Sequence, residues 1–233
     1  SVIYSKFMKK LILTTLMMGA AMFGAVNATT VADVSAEGSI SFSNLSTSNG
    51  LAVREDTTNY SLMLGTSVAD GNLAVGIGLA EGDGNTDTDI LVSWGRPVNI
   101  LGQDLAGVAS FKKIESAYGG WEQLGLGLTY SDAIADLTVT TWHQLGSSAS
   151  YGAEVTVSKD LELLVDNLTT TPFVTANFAN DYNSLEVGVA LGYDIGNGLS
   201  IGAKASYLHN DADGTLYELD HDWGVSAGLS YKF

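Results

Sequence analysis

The sequence predicts an all-β protein, an antiparallel up-and-down β-barrel that spans a membrane, with twelve strands favoured over ten or fourteen. Two observations support this fold class. After an N-terminal apolar segment, apolar residues recur with period two, and no stretch of any length has helical periodicity. The alternate positions carry mainly Gly, Ala, Ser and Thr, and the charged residues concentrate between the segments. A soluble sheet would place charged residues on its solvent face.

The N-terminal segment has the three parts of a secretory signal peptide. Lys9 and Lys10 follow Met8, an apolar run covers residues 11–26, and small residues end it at Ala28. The alternative, a membrane anchor, is disfavoured because the run is short and interrupted by polar residues. We therefore expect residues 1–28 to comprise an N-terminal extension and a cleaved signal peptide, and residues 29–233 to form one transmembrane barrel.

The composition excludes several classes of protein. All 26 acidic residues but only seven of the ten basic residues follow Ala28, so the predicted mature part has a net charge of −19. Nucleic acid is not an expected partner, because phosphate binding needs a basic patch. The chain has no cysteine, which excludes disulfides and a lipoprotein acyl anchor. A closed, hydrogen-bonded barrel is expected to hold the fold without such cross-links.

Twelve segments have the alternating pattern and are predicted as strands. A tilted membrane strand needs about 9–11 residues, and every segment is long enough to cross a bilayer. The segments cover residues 34–43, 58–69, 72–81, 87–95, 103–113, 120–131, 135–145, 149–159, 170–179, 184–194, 198–209 and 217–233.

The connections between these segments alternate in character. Outer-membrane barrels have short periplasmic turns and longer external loops, so an even number of strands with both termini in the periplasm fits. The 43–57 connection is the candidate for a plug in the lumen, and the 159–167 connection is unexpectedly long for its side. Short connections lie at 69–72, 131–135 and 194–198, and longer or strongly polar ones at 43–57, 81–86 and 210–215.

The end of the chain carries a further signal. Aromatic residues lie near the ends of segments, as in the interfacial girdles of membrane barrels. The last alternating strand contains Trp223 and Tyr231 and ends in Phe233. This ending resembles the insertion signal of Gram-negative outer-membrane proteins, which the barrel-assembly machinery reads. The rest of the chain resembles small porin-like barrels, and more loosely the TorF-type porins. The resemblance implies a cell outer-membrane protein with outer-membrane lipid and the assembly machinery as partners.

The predicted inward positions indicate what the barrel contains. Gly, Ala and Ser dominate them and cannot fill a twelve-stranded interior, so a water-filled passage is expected. The sequence therefore predicts a porin-like channel for passive diffusion of ions and small hydrophilic solutes, weakly preferring cations because its loops are acidic. The alternative is a non-conducting structural or surface-interaction barrel, such as a receptor for a phage or a partner protein.

Five charged residues occupy predicted inward positions and are candidates for the pore lining. Their mixed signs would produce either a field across the lumen or structural ion pairs, and lumen charges tune selectivity. They are Lys112, Glu154, Glu186, Lys204 and Lys232.

One acidic stretch has the spacing of an oxygen-ligand calcium loop. Asp83, Asn85, Asp87 and Asp89 alternate as in such loops. The turn glycine and the twelfth-position Glu of a calcium loop are missing, however. These residues are therefore weak metal-binding candidates, and solvated external charge is the alternative.

The three histidines do not indicate an active site. His143, His209 and His221 lack the neighbouring residues that a barrel lipase, deacylase or protease needs. We therefore expect no enzymatic activity and no cofactor. The sequence does not choose between a monomer and a trimer.

Overall fold

The computed structural model describes residues 34–48, 51–68, 70–82, 85–116, 119–146, 150–162, 165–211 and 221–233. These residues form thirteen β-strands. No helix in the described part of the chain is long and apolar enough to cross a bilayer. In chain order the strands are β1 (Ser35–Ser48), β2 (Leu51–Val68), β3 (Gly71–Gly82), β4 (Asn85–Ile100), β5 (Gln103–Ser116), β6 (Gly119–Ser131), β7 (Asp136–Leu145), β8 (Tyr151–Ser158), β9 (Leu161–Glu162), β10 (Leu168–Ala179), β11 (Asn183–Gly196), β12 (Leu199–Asn210) and β13 (His221–Lys232).

The strands form one antiparallel sheet that closes on itself. Neighbours along the chain pair with each other, and β13 pairs with β1, with Glu37 opposite Lys232 and Ser43 opposite Ser226. The short strand β9 continues the line of β8, since both pair with β10. The thirteen strands therefore fill twelve positions in the wall. The predicted twelve-strand up-and-down barrel is confirmed, and the ten- and fourteen-strand alternatives are wrong.

Several strands extend beyond the alternating segments that predict them. β1 and β2 stay paired as far as Ser48 and Leu51, and β3 and β4 as far as Gly82 and Asn85. An antiparallel ladder satisfies backbone N–H and C=O groups whatever the side chains are, so pairing continues through polar residues. The expected long connections around these hairpins are therefore mostly paired strand. The predicted residues 217–220 of the last strand lie outside the described residues.

The long 159–167 connection is largely a continuation of β8. The Lys159 N–H donates to Pro172 O (3.3 Å), and Thr171 Oγ1 donates to Asp160 Oδ1 (2.6 Å), so the chain stays beside β10. Lys159 Nζ also donates to Asp132 O (2.7 Å) in the preceding turn at the same end of the barrel. These bonds link the connection to β10 and to the neighbouring turn between β6 and β7.

The two ends of the barrel differ in their connections. At the terminal end, where the chain enters β1 and leaves β13, two turns have both central residues at positive φ: Leu101 and Gly102 (54° and 83°), and Asn197 and Gly198 (55° and 82°). Such two-residue turns match the twist of antiparallel strands. At the opposite end, called the loop end here, β12 ends at Asn210 and β13 begins at His221.

The outer surface carries a belt of exposed apolar side chains. In the described wall no second layer of structure covers this belt, as it would in a soluble β-sandwich. An outward apolar band is the bilayer-facing surface of a transmembrane barrel. Along β11 the outward residues, each 41–46% exposed, are Leu185, Val187, Val189, Leu191 and Tyr193.

Candidate functional site in the barrel lumen

The inner face of the wall is lined largely by small residues. Gly192 stands opposite Gly202, and Gly202 stands opposite Gly228 on the next strand. Nearby, the hydroxyl oxygens of Ser200 and Ser230 are 2.8 Å apart. Side chains just fill an eight-stranded barrel, whereas barrels of sixteen or more strands leave an aqueous channel. A twelve-position wall with so little side-chain volume along this stripe leaves room inside.

One ion pair lies on the inner face of β4 and β5. Lys112 Nζ is 3.8 Å from Asp89 Oδ2, and the two side chains are 23% and 19% exposed. Lys112 stands opposite Leu91, so it reaches two residues along β4 to meet Asp89. Gly78, directly opposite Asp89 on β3, leaves open the space that the Asp89 carboxylate occupies. Lys112 Nζ also lies 5.8 Å from the centre of the Trp121 ring.

A second ion pair lies on the inner face of β11 and β12. Lys204 Nζ is 2.6 Å from Glu186 Oε1, and the side chains are 33% and 12% exposed. Lys204 stands opposite Ala190 and reaches four residues along β11 to meet Glu186. Its ammonium group is also 4.8 Å from the centre of the Phe173 ring. Glu154 on β8 interacts electrostatically with both charges of the pair.

The two ion pairs lie on opposite walls. In the strand order, β11 is six positions from β4 and β12 is six positions from β5, which is half of the twelve-position circuit. Each lysine is neutralised by a carboxylate on its own wall, so these charges form structural ion pairs and not a field from one wall to the other. All four side chains are partly exposed on the inner face, so there is room for water beside them.

The fifth predicted lining residue lies at the rim. Lys232 is the last residue of β13, stands opposite Glu37 and is exposed at the terminal end. The aromatic residues of the same strand point outward: Trp223 is 64% exposed and Tyr231 is 41% exposed. Phe233 packs edge-on against Tyr231, with ring centres 4.6 Å apart.

Several bulky side chains on the inner face are absent from the sequence prediction. Trp142 on β7 is 6% exposed, and Leu208 on β12 is 2% exposed and packs against Leu45. The signal for Trp142 was present, since outward Leu137 and Val139 put the even-numbered residues of that segment inside. The loop-end half of the lumen is therefore narrower than the small inward residues alone predict.

Tyr182 closes part of this half from the connection between β10 and β11. It is 6% exposed and packs with Trp142 and Ala179. Burial raises the pKa of its hydroxyl, and the negative charges of Asp181 and Glu154 raise it further. A backbone hydrogen bond from the Ala179 N–H to Tyr182 O (2.9 Å) holds the connection that carries this side chain.

Buried polar atoms near Tyr182 are left without partners. Among the described residues, Trp142 Nε1, Asn177 Oδ1 and Ser184 Oγ are buried and have no hydrogen bond. Asn177 is only 1% exposed and stands opposite both Ser184 and Glu154. A buried polar atom without a hydrogen bond lowers the stability of the folded state by about 1–3 kcal/mol. The side chains that cover this patch are therefore packed there at a cost in stability.

The predicted calcium-loop residues lie on a strand where they are described. Asn85, Asp87 and Asp89 are alternate residues of β4 and extend in a line along the inner face, while residue 83 lies outside the described part. A calcium loop would curl its ligands around one point. Within the described ranges, no cluster of three or more His, Cys, Asp or Glu side chains could hold a metal ion.

Two of the histidines face outward. His143 stands opposite Tyr151, with ring centres 6.5 Å apart, and His209 is exposed beside Tyr207 on the same strand. The side chain of His221 lies outside the described part. Neither described histidine is directed into the lumen.

Comparisons with known proteins identify the fold alone. No protein-family profile and no curated protein sequence matches the chain. Among solved structures, the chain is similar to "KdgM porin" (TM-score 0.54, 11% identity, covering 85% of this chain and 99% of that one). It is also similar to "NanC porin structure in rhombohedral crystal form" (TM-score 0.53, 10% identity, 86% and 100%). A third is "KdgM porin in complex with disordered oligogalacturonate" (TM-score 0.53, 10% identity, 85% and 99%).

Proposed function

We propose that the chain is an outer-membrane, porin-like channel through which ions and small hydrophilic solutes diffuse passively, with a weak preference for cations. The observation that carries this proposal is the exposure of Lys112, Asp89, Lys204 and Glu186 inside the wall. Charged groups that lie three to five residues inside the ends of their strands stay partly exposed only where water has access. The stripe of small residues on β11, β12 and β13 supplies space inside the wall, and the fold shared with porins is compatible with conduction.

Three observations support an outer-membrane location. The uncovered apolar belt fits a lipid environment, because exposing so much contiguous apolar surface to water is unfavourable. The predicted signal peptide would direct export, and Trp223, Tyr231 and Phe233 at the end of the chain would present the final strand to the barrel-assembly machinery. A Gram-negative outer membrane satisfies all three requirements.

The cation preference rests on the lumen charges. The carboxylates of Asp87, Asp89, Glu154 and Glu186 lie on the inner face of the wall, away from its rims. They outnumber the ammonium groups of Lys112 and Lys204 on the same face. A net negative wall raises the local concentration of cations. One KdgM structure is described as a complex with oligogalacturonate, a polyanion. The acidic wall here disfavours such a solute.

A non-conducting barrel that interacts with a partner at the cell surface is the second candidate. The bulky inward residues near the loop end, Leu45, Trp142, Tyr182 and Leu208, favour it because they narrow that half of the lumen.

Planar-bilayer recording of the refolded full chain separates the two candidates. A channel gives stepwise conductance and a reversal potential that favours cations in a salt gradient. A heat-modifiable gel shift checks independently that the barrel has folded. A folded barrel that shows no conductance steps would contradict the channel and favour the structural candidate. A reversal potential that favours anions would contradict the cation preference.

A further inference from the structure

Three unsatisfied polar atoms converge on one patch of the inner wall. Asn177 and Ser184 are direct partners on β10 and β11, so their side chains are neighbours on the same face. The Trp142 indole lies over Gly152, where a side chain would collide with it. Gly152 in turn stands opposite Ala179, two residues from Asn177. An indole N–H, an amide oxygen and a hydroxyl thus border a single area.

These atoms offer complementary hydrogen-bonding capacity. Trp142 Nε1 can only donate, Asn177 Oδ1 can only accept, and Ser184 Oγ can do both. Glu154, opposite Asn177, adds a carboxylate acceptor at the edge. A solute with several hydroxyl groups satisfies such a mixed set, whereas an apolar or purely accepting solute does not.

Aromatic surface lies beside the polar atoms. The Trp142 and Tyr182 side chains pack together and are each 6% exposed. The Tyr182 ring comes from the connection between β10 and β11 at the loop end and packs directly against Trp142. A solute ring in the position of the Tyr182 ring would keep the apolar contact with Trp142. It would also add hydrogen bonds to the polar atoms that have none.

We propose that this patch is a solute-binding subsite for a neutral, hydroxyl-rich ring of monosaccharide size, in which Trp142, Asn177 and Ser184 hold the solute and Tyr182 competes with it. The subsite deepens the channel proposal and rests on it. The carboxylate of Glu154, opposite Asn177, disfavours an anionic sugar at the same position, whereas Glu186 is already paired with Lys204.

The test uses the full chain in planar bilayers with glucose as the probe. Glucose is expected to reduce the conductance saturably, and glucuronate is expected to reduce it far less. Trp142→Phe replaces the indole with a smaller aromatic ring that has no N–H, and Ser184→Ala removes the hydroxyl. Each is expected to raise the half-saturating glucose concentration about fivefold, the factor that corresponds to one neutral hydrogen bond.

The variant Tyr182→Ala has the opposite expected sign. Removing the competing side chain lowers the half-saturating glucose concentration, which a purely structural role for Tyr182 does not predict. Matched controls carry the same substitutions on the outer face at the same end of the barrel. Trp223→Phe and Tyr151→Ala, whose side chains are 64% and 58% exposed to the outside, should leave the glucose dependence unchanged.

Two results would overturn different parts. A chain that conducts but shows no saturable effect of glucose, or equal effects in the wall variants and their controls, removes the subsite and leaves the channel. A folded chain that does not conduct removes the channel proposal itself. A gel-shift assay on every variant verifies that each one has folded before its glucose response is compared.

Discussion

Lys204 is held in the lumen by a carboxylate and an aromatic ring, with Glu186 Oε1 at 2.6 Å and the Phe173 ring centre at 4.8 Å. Lys204→Gln leaves Glu186 unneutralised, so we predict a higher cation-to-anion permeability ratio. A unit charge acting over about 4 Å in water contributes about 1 kcal/mol, so the change should be fivefold or less, about the factor that this energy gives. Reversal potentials in a salt gradient measure it.

The partner substitution supplies the control for this pair. Glu186→Gln leaves the ammonium group of Lys204 unneutralised and should shift selectivity toward anions. The double variant should return near the original value because no net charge has changed. If the double variant instead kept the shift of either single variant, the pair would not be setting the selectivity together.

Asp211 at the loop end is the clearest pH-dependent residue. Its carboxylate accepts a hydrogen bond from the Asn183 side chain (2.9 Å) and another from the Asn183 backbone N–H, and these bonds hold the pKa of Asp211 below its usual range. A lowered folded-state pKa means that the carboxylate stabilises the fold above its unfolded pKa of about 3.9 and loses that effect as pH falls through the folded value.

We therefore predict that Asp211→Ala lowers the midpoint temperature of the heat-induced gel shift at pH 7. The difference between the variant and the parent should shrink as the pH falls through the lowered pKa of Asp211, where the parent also loses its charged acceptor. Asp181→Ala, at an exposed position in the neighbouring connection, is the control and should show no such pH dependence.

The turn between β11 and β12 depends on one glycine. Gly198 has a φ of 82°, and a side chain there would collide with the backbone of Lys232 on the last strand. Gly198 O also accepts the Lys232 N–H at 2.9 Å. We predict that Gly198→Ala destabilises the barrel by about 1–2 kcal/mol from the left-handed backbone alone, with a further loss from the collision.

The midpoint of urea unfolding measures this effect. Gly192→Ala on β11 is the matched control, since a methyl group there meets nothing within 4 Å and the residue is not at positive φ. A similar loss in both variants would indicate that any added methyl group harms the wall, and the turn explanation would fail.

Strand positions follow from the sequence because alternation with period two is a local property. The segment 184–194 predicts β11 to within two residues at each end. The contacts within the lumen do not follow, because they depend on register between strands. Lys204 meets Glu186 four residues away from its direct partner, Ala190, and Lys112 meets Asp89 two residues from Leu91. No spacing in the sequence encodes those offsets.

The closed wall depends on the last strand, which pairs with both β12 and β1. The Phe233 N–H donates to Ala36 O at 2.8 Å, and its ring is 74% exposed to the outside. Because that ring supports little of the folded packing, we predict that Phe233→Ala refolds normally in detergent but reaches the outer membrane of cells several times less efficiently.

Fractionation of cells and in vitro refolding together test this prediction. Phe42→Ala, an exposed outward phenylalanine on the adjacent strand β1, is the control for loss of apolar surface. Equal losses of assembly in both variants would assign the effect to lipid contact, and a refolding defect in Phe233→Ala would assign it to stability.

The hydrogen bond between Phe233 and Ala36 brings the first and last strands together, so the order of the strands along the chain can be changed. The two ends of the described wall lie on adjacent strands at the same end of the barrel, so a short linker can join them. Opening the ring between β4 and β5 instead, at the same end of the barrel, would give a circular permutant that keeps every strand pairing, including the one between β13 and β1. The order in which strands emerge during synthesis would then change while the finished cylinder stayed the same. Such a molecule would show whether assembly reads the final strand itself or only the residues that happen to come last.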